Sequence, residues 1–139
     1  MIVLDTNVIS EAMRPRPDPA AMSWLNGQDA QSLNLSSVTL AELLFGIGAL
    51  PAGAGKDRLS RSLDALLALF PGRILPLDAD AARRYAHMAV VARSSGRPLP
   101  MADGYIAAIA AARGFAVATR NIEHFQGTGV ELIDPWQNG

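Results

Sequence analysis

The chain has 139 residues, a formal net charge of −1, half of its residues apolar and no cysteine. A chain of this length buries roughly two-thirds of the surface its unfolded form exposes, so a single domain over residues 1–139 is expected and no covalent staple is needed. The missing cysteines exclude disulfides and thiolate zinc sites, and with only two distant histidines, His87 and His124, any metal has to sit on carboxylates.

The chain opens on Ile2-Val3-Leu4, three β-formers that stop at Asp5-Thr6-Asn7, so Asp5 is expected where a buried strand leaves its sheet. Val8 to Met13 has a helical pattern, ended by the alternating prolines at 15, 17 and 19. Pro19 opens a second helix that runs through Leu25 to Gly27. Ser32 to Ser36 alternates like a strand, and Leu40, Leu43, Leu44 and Ile47 then recur at helical spacing. Leu59, Leu63, Leu66, Leu67 and Phe70 define a further helix, closed by Pro71-Gly72. Ile74 to Leu77 is extended but carries Pro76, which suits an edge or a connection.

Asp78 or Asp80 caps a long helix from Ala79 to Ser95, whose Ala82, Tyr85, Ala86, Ala89 and Ala92 form a narrow packing face. Ser94 to Pro100 is a loop, Met101 to Arg113 a helix with Gly114 as its stop, Phe115 to Thr119 a buried strand with Arg120-Asn121 as its exit, and Val130 to Ile133 a last strand. The alternation implies an α/β class, with a mostly parallel sheet of about four or five strands and helices on both faces. With no basic leader ahead of an apolar core and no apolar run near ~18 residues, the expected location is the cytoplasm, with no membrane segment.

Three acids fall at comparable places. Asp5 leaves the first strand, Glu42 lies in the opening turn of the helix after the second, and Asp103 lies in the opening turn of the Met101 to Arg113 helix. Strand exits and the helix starts that follow them share one edge of a parallel sheet, so the three can converge although 37 and 61 residues separate them in turn. Each also has a local role open to it: Asp5 as a helix cap, Thr39 to Glu42 as an S/T-x-x-E capping box, Asp103 as a favourable charge at a helix N-terminus. Three anions at one edge repel, and a divalent cation relieves that. Carboxylates suit Mg²⁺ or Mn²⁺, and metals held this way serve displacement at phosphorus, which points to phosphodiester hydrolysis.

The chain resembles the PIN domains, in particular the VapC and FitB type of ribonuclease toxin from type II toxin–antitoxin modules. The matching residues are Val3 to Val8 with Ser10-Glu11, Ser36 to Thr39 with Glu42 to Gly46, Pro100 to Asp103 with Ile106-Ala107, Ala118 to Asn121 with His124-Phe125, and then Val130, Ile133, Pro135 and Trp136. The resemblance implies a three-layer α/β/α domain that binds Mg²⁺ or Mn²⁺ through Asp5 and Asp103. Glu42 would complete the acidic site, and Thr6 would hydrogen-bond within it. A fourth acid is frequent in the family just after the strand ending at Thr119; here that position is Asn121, an uncharged supporting partner. The resemblance further implies an RNA substrate, a homodimer and an antitoxin partner whose groove would draw on Trp24, Leu40, Leu44 and Phe45, residues that ordinary core packing accounts for equally simply.

Eleven of the twelve basic residues are arginine, a side chain suited to bidentate phosphate contact. Arg97, in the loop before Asp103, and Arg120, at the strand exit, are the expected RNA phosphate contacts. Arg83, Arg84 and Arg93 read as a solvated helix face, and both histidines as structural. Two other readings stay open at this point: an aspartyl-phosphate type phosphohydrolase using Asp5, against which Asn7 stands where a second aspartate is usual, and a catalytically inactive PIN-like binding module.

Overall fold

The structure, a computed structural model, describes residues 1–137. Five strands, β1 (Ile2–Leu4), β2 (Leu33–Ser36), β3 (Ile74–Leu75), β4 (Ala116–Ala118) and β5 (Leu132–Ile133), form one sheet in the order β3-β2-β1-β4-β5. Every neighbouring pair is parallel. Parallel neighbours require crossovers, and the helices supply them: α1 (Thr6–Ala12), α2 (Pro19–Asn26), α3 (Ser37–Gly48), α4 (Ala54–Leu67), α5 (Ala79–Ser94), α6 (Met101–Arg113) and the single turn α7 (Ile122–Phe125).

Alternation along the strands sorts the core into two layers. Val3, Leu75 and Val117 face α5 and α6, while Leu4, Leu35 and Ala118 face Val8 and Ile9 of α1, Trp24 of α2, Leu43 of α3 and Leu63 of α4. Helix α6 is apolar around its circumference because it lies between the sheet and α5; five consecutive residues, Ile106 to Ala110, are at most 1 % exposed. Its two isoleucines contribute about 1.5–3 kcal/mol each by burial. Gly104 lets α5 approach: a Cβ there would lie 2.7 Å from the ring of Tyr85. That ring in turn packs on Tyr105 with centroids 4.6 Å apart.

Several element starts differ from the sequence reading, each for a local reason. Helix α1 begins two residues before Val8, because Asp5 caps it and accepts from the Thr6 amide. Helix α3 begins at Ser37, where the Ser36 hydroxyl accepts from the Thr39 amide. The expected Thr39–Glu42 capping box therefore does not form, and Glu42 sits in the second turn rather than the first. Helix α4 starts at Ala54, five residues before Leu59, and ends before Phe70. The packing face of α5 is shifted in phase: Ala81 and Met88 are buried and Tyr85 half-buried, whereas Ala82 and Ala86 are exposed. Of the groove candidates, Trp24 follows the core-packing alternative, at 8 % exposure. The last strand is limited to Leu132–Ile133, and α7 follows Asn121 where only a strand exit is expected. Gly114, at φ 69°, does end α6 in the left-handed conformation that a side chain resists.

Candidate active site

The carboxyl ends of β1, β2 and β4 lie side by side, so their exits, Asp5, Ser36 and Thr119, share one edge of the sheet. Asp5 is fixed there by its backbone, whose N–H donates to the Ala118 carbonyl at 2.9 Å, extending the β1–β4 ladder by one bond. Its side chain is 3 % exposed and fully engaged. Oδ1 accepts from the Thr6 amide at 2.7 Å, and Oδ2 accepts from the Thr119 hydroxyl at 2.7 Å and from the Asn7 amide group at 3.2 Å.

These bonds oppose a larger effect. Burial raises the Asp5 pKa, the hydrogen bonds from Thr119 and Thr6 lower it, and the charges of Asp103 and Glu42 raise it again. The net direction is upward from the ordinary 3.8. The two acids whose charges act on Asp5 are the two that the sequence places at the same edge.

Glu42 is held across the site. Its Oε1 accepts from the Thr6 hydroxyl at 2.6 Å, and Thr6 lies 3.0 Å from the Thr39 hydroxyl. A hydroxyl has one proton, so Thr6 donates to Glu42 and accepts from Thr39. Asp103, in the first turn of α6, places Oδ2 2.9 Å from Nδ1 of His124 on α7. With its proton on Nδ1 the imidazole donates to Asp103, so His124 acts on a site carboxylate and is not the merely structural residue expected. Asn121 gives its backbone N–H to the Thr119 hydroxyl at 3.0 Å.

Asp5, Thr6, Asn7, Glu42, Asp103, Arg120 and Asn121 line one cavity of about 350 Å³, together with Ser10, Glu11, Arg14 and Trp136. Arg120 stands over the Trp136 ring, its guanidinium carbon 5.1 Å from the centroid. Arg97 is not among these residues. The loop that carries it folds back beside α5, lining a separate hollow with Met88, Val91 and Gly127, and a Cβ at Gly127 would strike its guanidinium. Three residues, Asn7 and Glu11 in the cavity wall and Thr119 buried behind Asp5, receive no role from the sequence. Thr119 and Asn7 carry no charge and act only through hydrogen bonds, and Glu11 reads as one more polar position on α1. Their signal is indirect, in that Asn7 stands three residues and Thr119 one residue past a strand end at the shared edge.

Among the described residues no three His, Asp or Glu side chains close into a ready-made metal cage. The donor set nevertheless suits Mg²⁺ or Mn²⁺, because such an ion is ordinarily held by one or two carboxylates and keeps several waters. Asp5 and Asp103 would provide the carboxylates, and the polar cavity they line would leave room for the waters.

A five-stranded parallel sheet with helices on both faces and an acidic cavity at the strand exits defines an α/β domain whose polar centre is built from strand ends. The particular kind follows from comparison: residues 2–129 match the PIN domain, and the chain belongs to that family. It is 46 % identical over 138 residues, 99 % of both chains, to the VapC ribonuclease Y4jK of Sinorhizobium fredii. The solved structure of FitAcB from Neisseria gonorrhoeae superposes with a TM-score of 0.93 at 42 % identity, covering 98 % of this chain and 99 % of that one. VapBC-5 of Mycobacterium tuberculosis, described as a member of the VapBC family of toxin-antitoxin systems, matches with a TM-score of 0.69 at 30 % identity over 94 % of this chain and 95 % of that one.

Proposed function

We propose that this protein is a ribonuclease, the toxin of a toxin–antitoxin pair, and that it hydrolyses RNA phosphodiesters with Mg²⁺ or Mn²⁺ bound by Asp5 and Asp103. The observation that carries the reading is the mutual electrostatics of Asp5, Asp103 and Glu42 in one polar cavity of a PIN domain. It is supported by the likeness over nearly the whole chain to a VapC ribonuclease and to VapBC-5.

The bound metal would lower the pKa of a water and neutralise charge at the phosphate. The chain's own residues do the positioning. Thr119, Asn7 and the Thr6 amide hold Asp5 in one orientation, so that its ionised form meets a cation without first reorganising. His124 does the same for Asp103, and Thr6 fixes Glu42 near both. Arg120, backed by Trp136, contacts an RNA phosphate at the rim. Asn121 supports Thr119 through its backbone N–H and leaves its side chain to the cavity.

The antitoxin binds over α3, where Leu44 and Phe45 are 54 % and 78 % exposed on the helix that carries Glu42. The assembly in solution is a homodimer, which sedimentation of the purified chain checks. No observation favours Asp5 as a phosphoryl nucleophile. The test of the whole reading is cleavage of an oligoribonucleotide by the chain freed of any partner. Cleavage that needs Mg²⁺ or Mn²⁺ and disappears in Asp5→Ala is expected; equal cleavage by wild type and Asp5→Ala would sink it.

A further inference from the structure

Glu11 is the one buried acid of the cavity wall that the reaction described above does not use; it is 6 % exposed near the end of α1. Its two oxygens are both committed. Oε2 accepts from the Asp18 amide at 2.9 Å, and Oε1 lies 3.5 Å from the guanidinium of Arg14. Between those partners run Pro15 and Pro17, whose fixed φ angles remove most of the freedom of the loop. The loop is tied at both ends: the Arg14 amide donates to the Glu11 carbonyl at 3.1 Å, and Asp18 caps α2 through the Ala21 amide at 3.0 Å.

Arg14 is thus held by its backbone while its side chain stays 67 % exposed on the cavity rim, with Glu11 as its ion-pair partner among the described residues. A single contact at 3.5 Å uses little of a guanidinium that carries five N–H donors. Arg120 lines the same cavity from the exit of β4. An RNA strand approaching Asp5, Glu42 and Asp103 brings like charge to like, and cations on two separate elements of the same cavity offset that.

Resting on the ribonuclease reading, we infer that Arg14 binds a substrate phosphate next to the scissile one, and that buried Glu11 is the positioning residue that presents it. Arg14 takes the role that Arg97, which lines a separate hollow, does not fill. Arg14 acts through binding, not through the acids, so its removal raises KM and leaves kcat in place.

The experiment measures initial rates on a single-stranded oligoribonucleotide over a range of KCl concentrations for wild type, Arg14→Ala, Arg14→Lys, Glu11→Gln and the double variant Glu11→Gln/Arg14→Ala. Losing a charge-assisted contact raises KM roughly tenfold in Arg14→Ala. The slope of log KM against log salt falls by about 0.7, the value of one single-strand phosphate contact. Arg14→Lys restores the slope and part of the affinity. Glu11→Gln keeps the volume and an acceptor for Asp18, so it raises KM while keeping the slope, and the double variant is no worse than Arg14→Ala alone. Wild-type KM and slope in Arg14→Ala, with Asp5→Ala inactive, overturn the inference and leave the ribonuclease reading standing. Additive effects in the double variant overturn the role of Glu11. A wild-type chain that neither binds nor cleaves RNA removes the ribonuclease reading and this inference with it.

Discussion

The two edges of the sheet make opposite use of charge. At the carboxyl edge, Asp5 is buried, bonded through both oxygens, and raised in pKa by its surroundings. At the amino edge a larger cavity, about 610 Å³, opens between α5 and the starts of β4 and β5, lined by Asp80, Arg83, Arg84, His87, Thr128 and Glu131. Its charged side chains are exposed, and Arg84 meets Asp80 of its own helix at 3.7 Å. Water screens such groups, so they gain little from one another and perturb little. Size therefore does not mark the site. What marks it is charge kept out of water and held by partners from distant parts of the chain.

Variants at each edge break or sharpen that contrast, beginning with the largest effect. Asp5→Ala and Asp103→Ala should each reduce metal-dependent RNA cleavage by more than the roughly 10- to 100-fold that loss of an outer partner costs, measured by single-turnover rates. Thr119→Val removes one such outer partner and should fall within about 10- to 100-fold in activity or in metal affinity, read by titrating Mg²⁺ against rate. Activity unchanged in Thr119→Val would mean that the buried hydrogen bond to Asp5 has no part in the site.

Gly104→Ala tests the packing next to Asp103. The added carbon must displace the Tyr85 ring, and a loss of about 1–3 kcal/mol in urea unfolding is expected. The acid that burial perturbs gives a pH signature. Because Asp5 has a raised folded pKa, the folded chain without divalent metal holds a proton that the unfolded chain releases first. Its contribution to stability is full below the unfolded value near 3.8 and is lost as pH rises through the raised folded value. The melting temperature in EDTA should fall across that window, and Mg²⁺ at about a hundredfold excess over Kd should restore about 2.7 kcal/mol at neutral pH. At the amino edge, Arg84→Ala should change stability by at most about 0.5 kcal/mol and cleavage not at all. A strong loss of cleavage in Arg84→Ala would abolish the distinction between the edges.

The parts of this architecture legible in the sequence are those whose cause is local. The run Ile2 to Leu4, the stop at Gly114 and the first turn of α6 each announce themselves within a few residues, and they put Asp5 and Asp103 at one edge. Glu42 is assigned to the correct helix but to the wrong turn, because Ser36 rather than Thr39 takes the cap. Arg97 misleads because nearness to Asp103 in sequence says nothing of which way a loop folds, and this one closes on Gly127. The contacts of His124 and Thr119 are not legible for a related reason: they are made across 21 and 114 residues, and neither residue type distinguishes a contact from a turn.

That last separation has a consequence in time. The central strand β1 pairs with β4, and the Asp5 carboxylate takes a bond from Thr119, so neither the β1–β4 ladder nor that bond to the buried acid can form until the chain has been made through residue 119. Contacts this remote in sequence close slowly and late. Synthesis itself thus delays completion of the site until residue 119 has emerged.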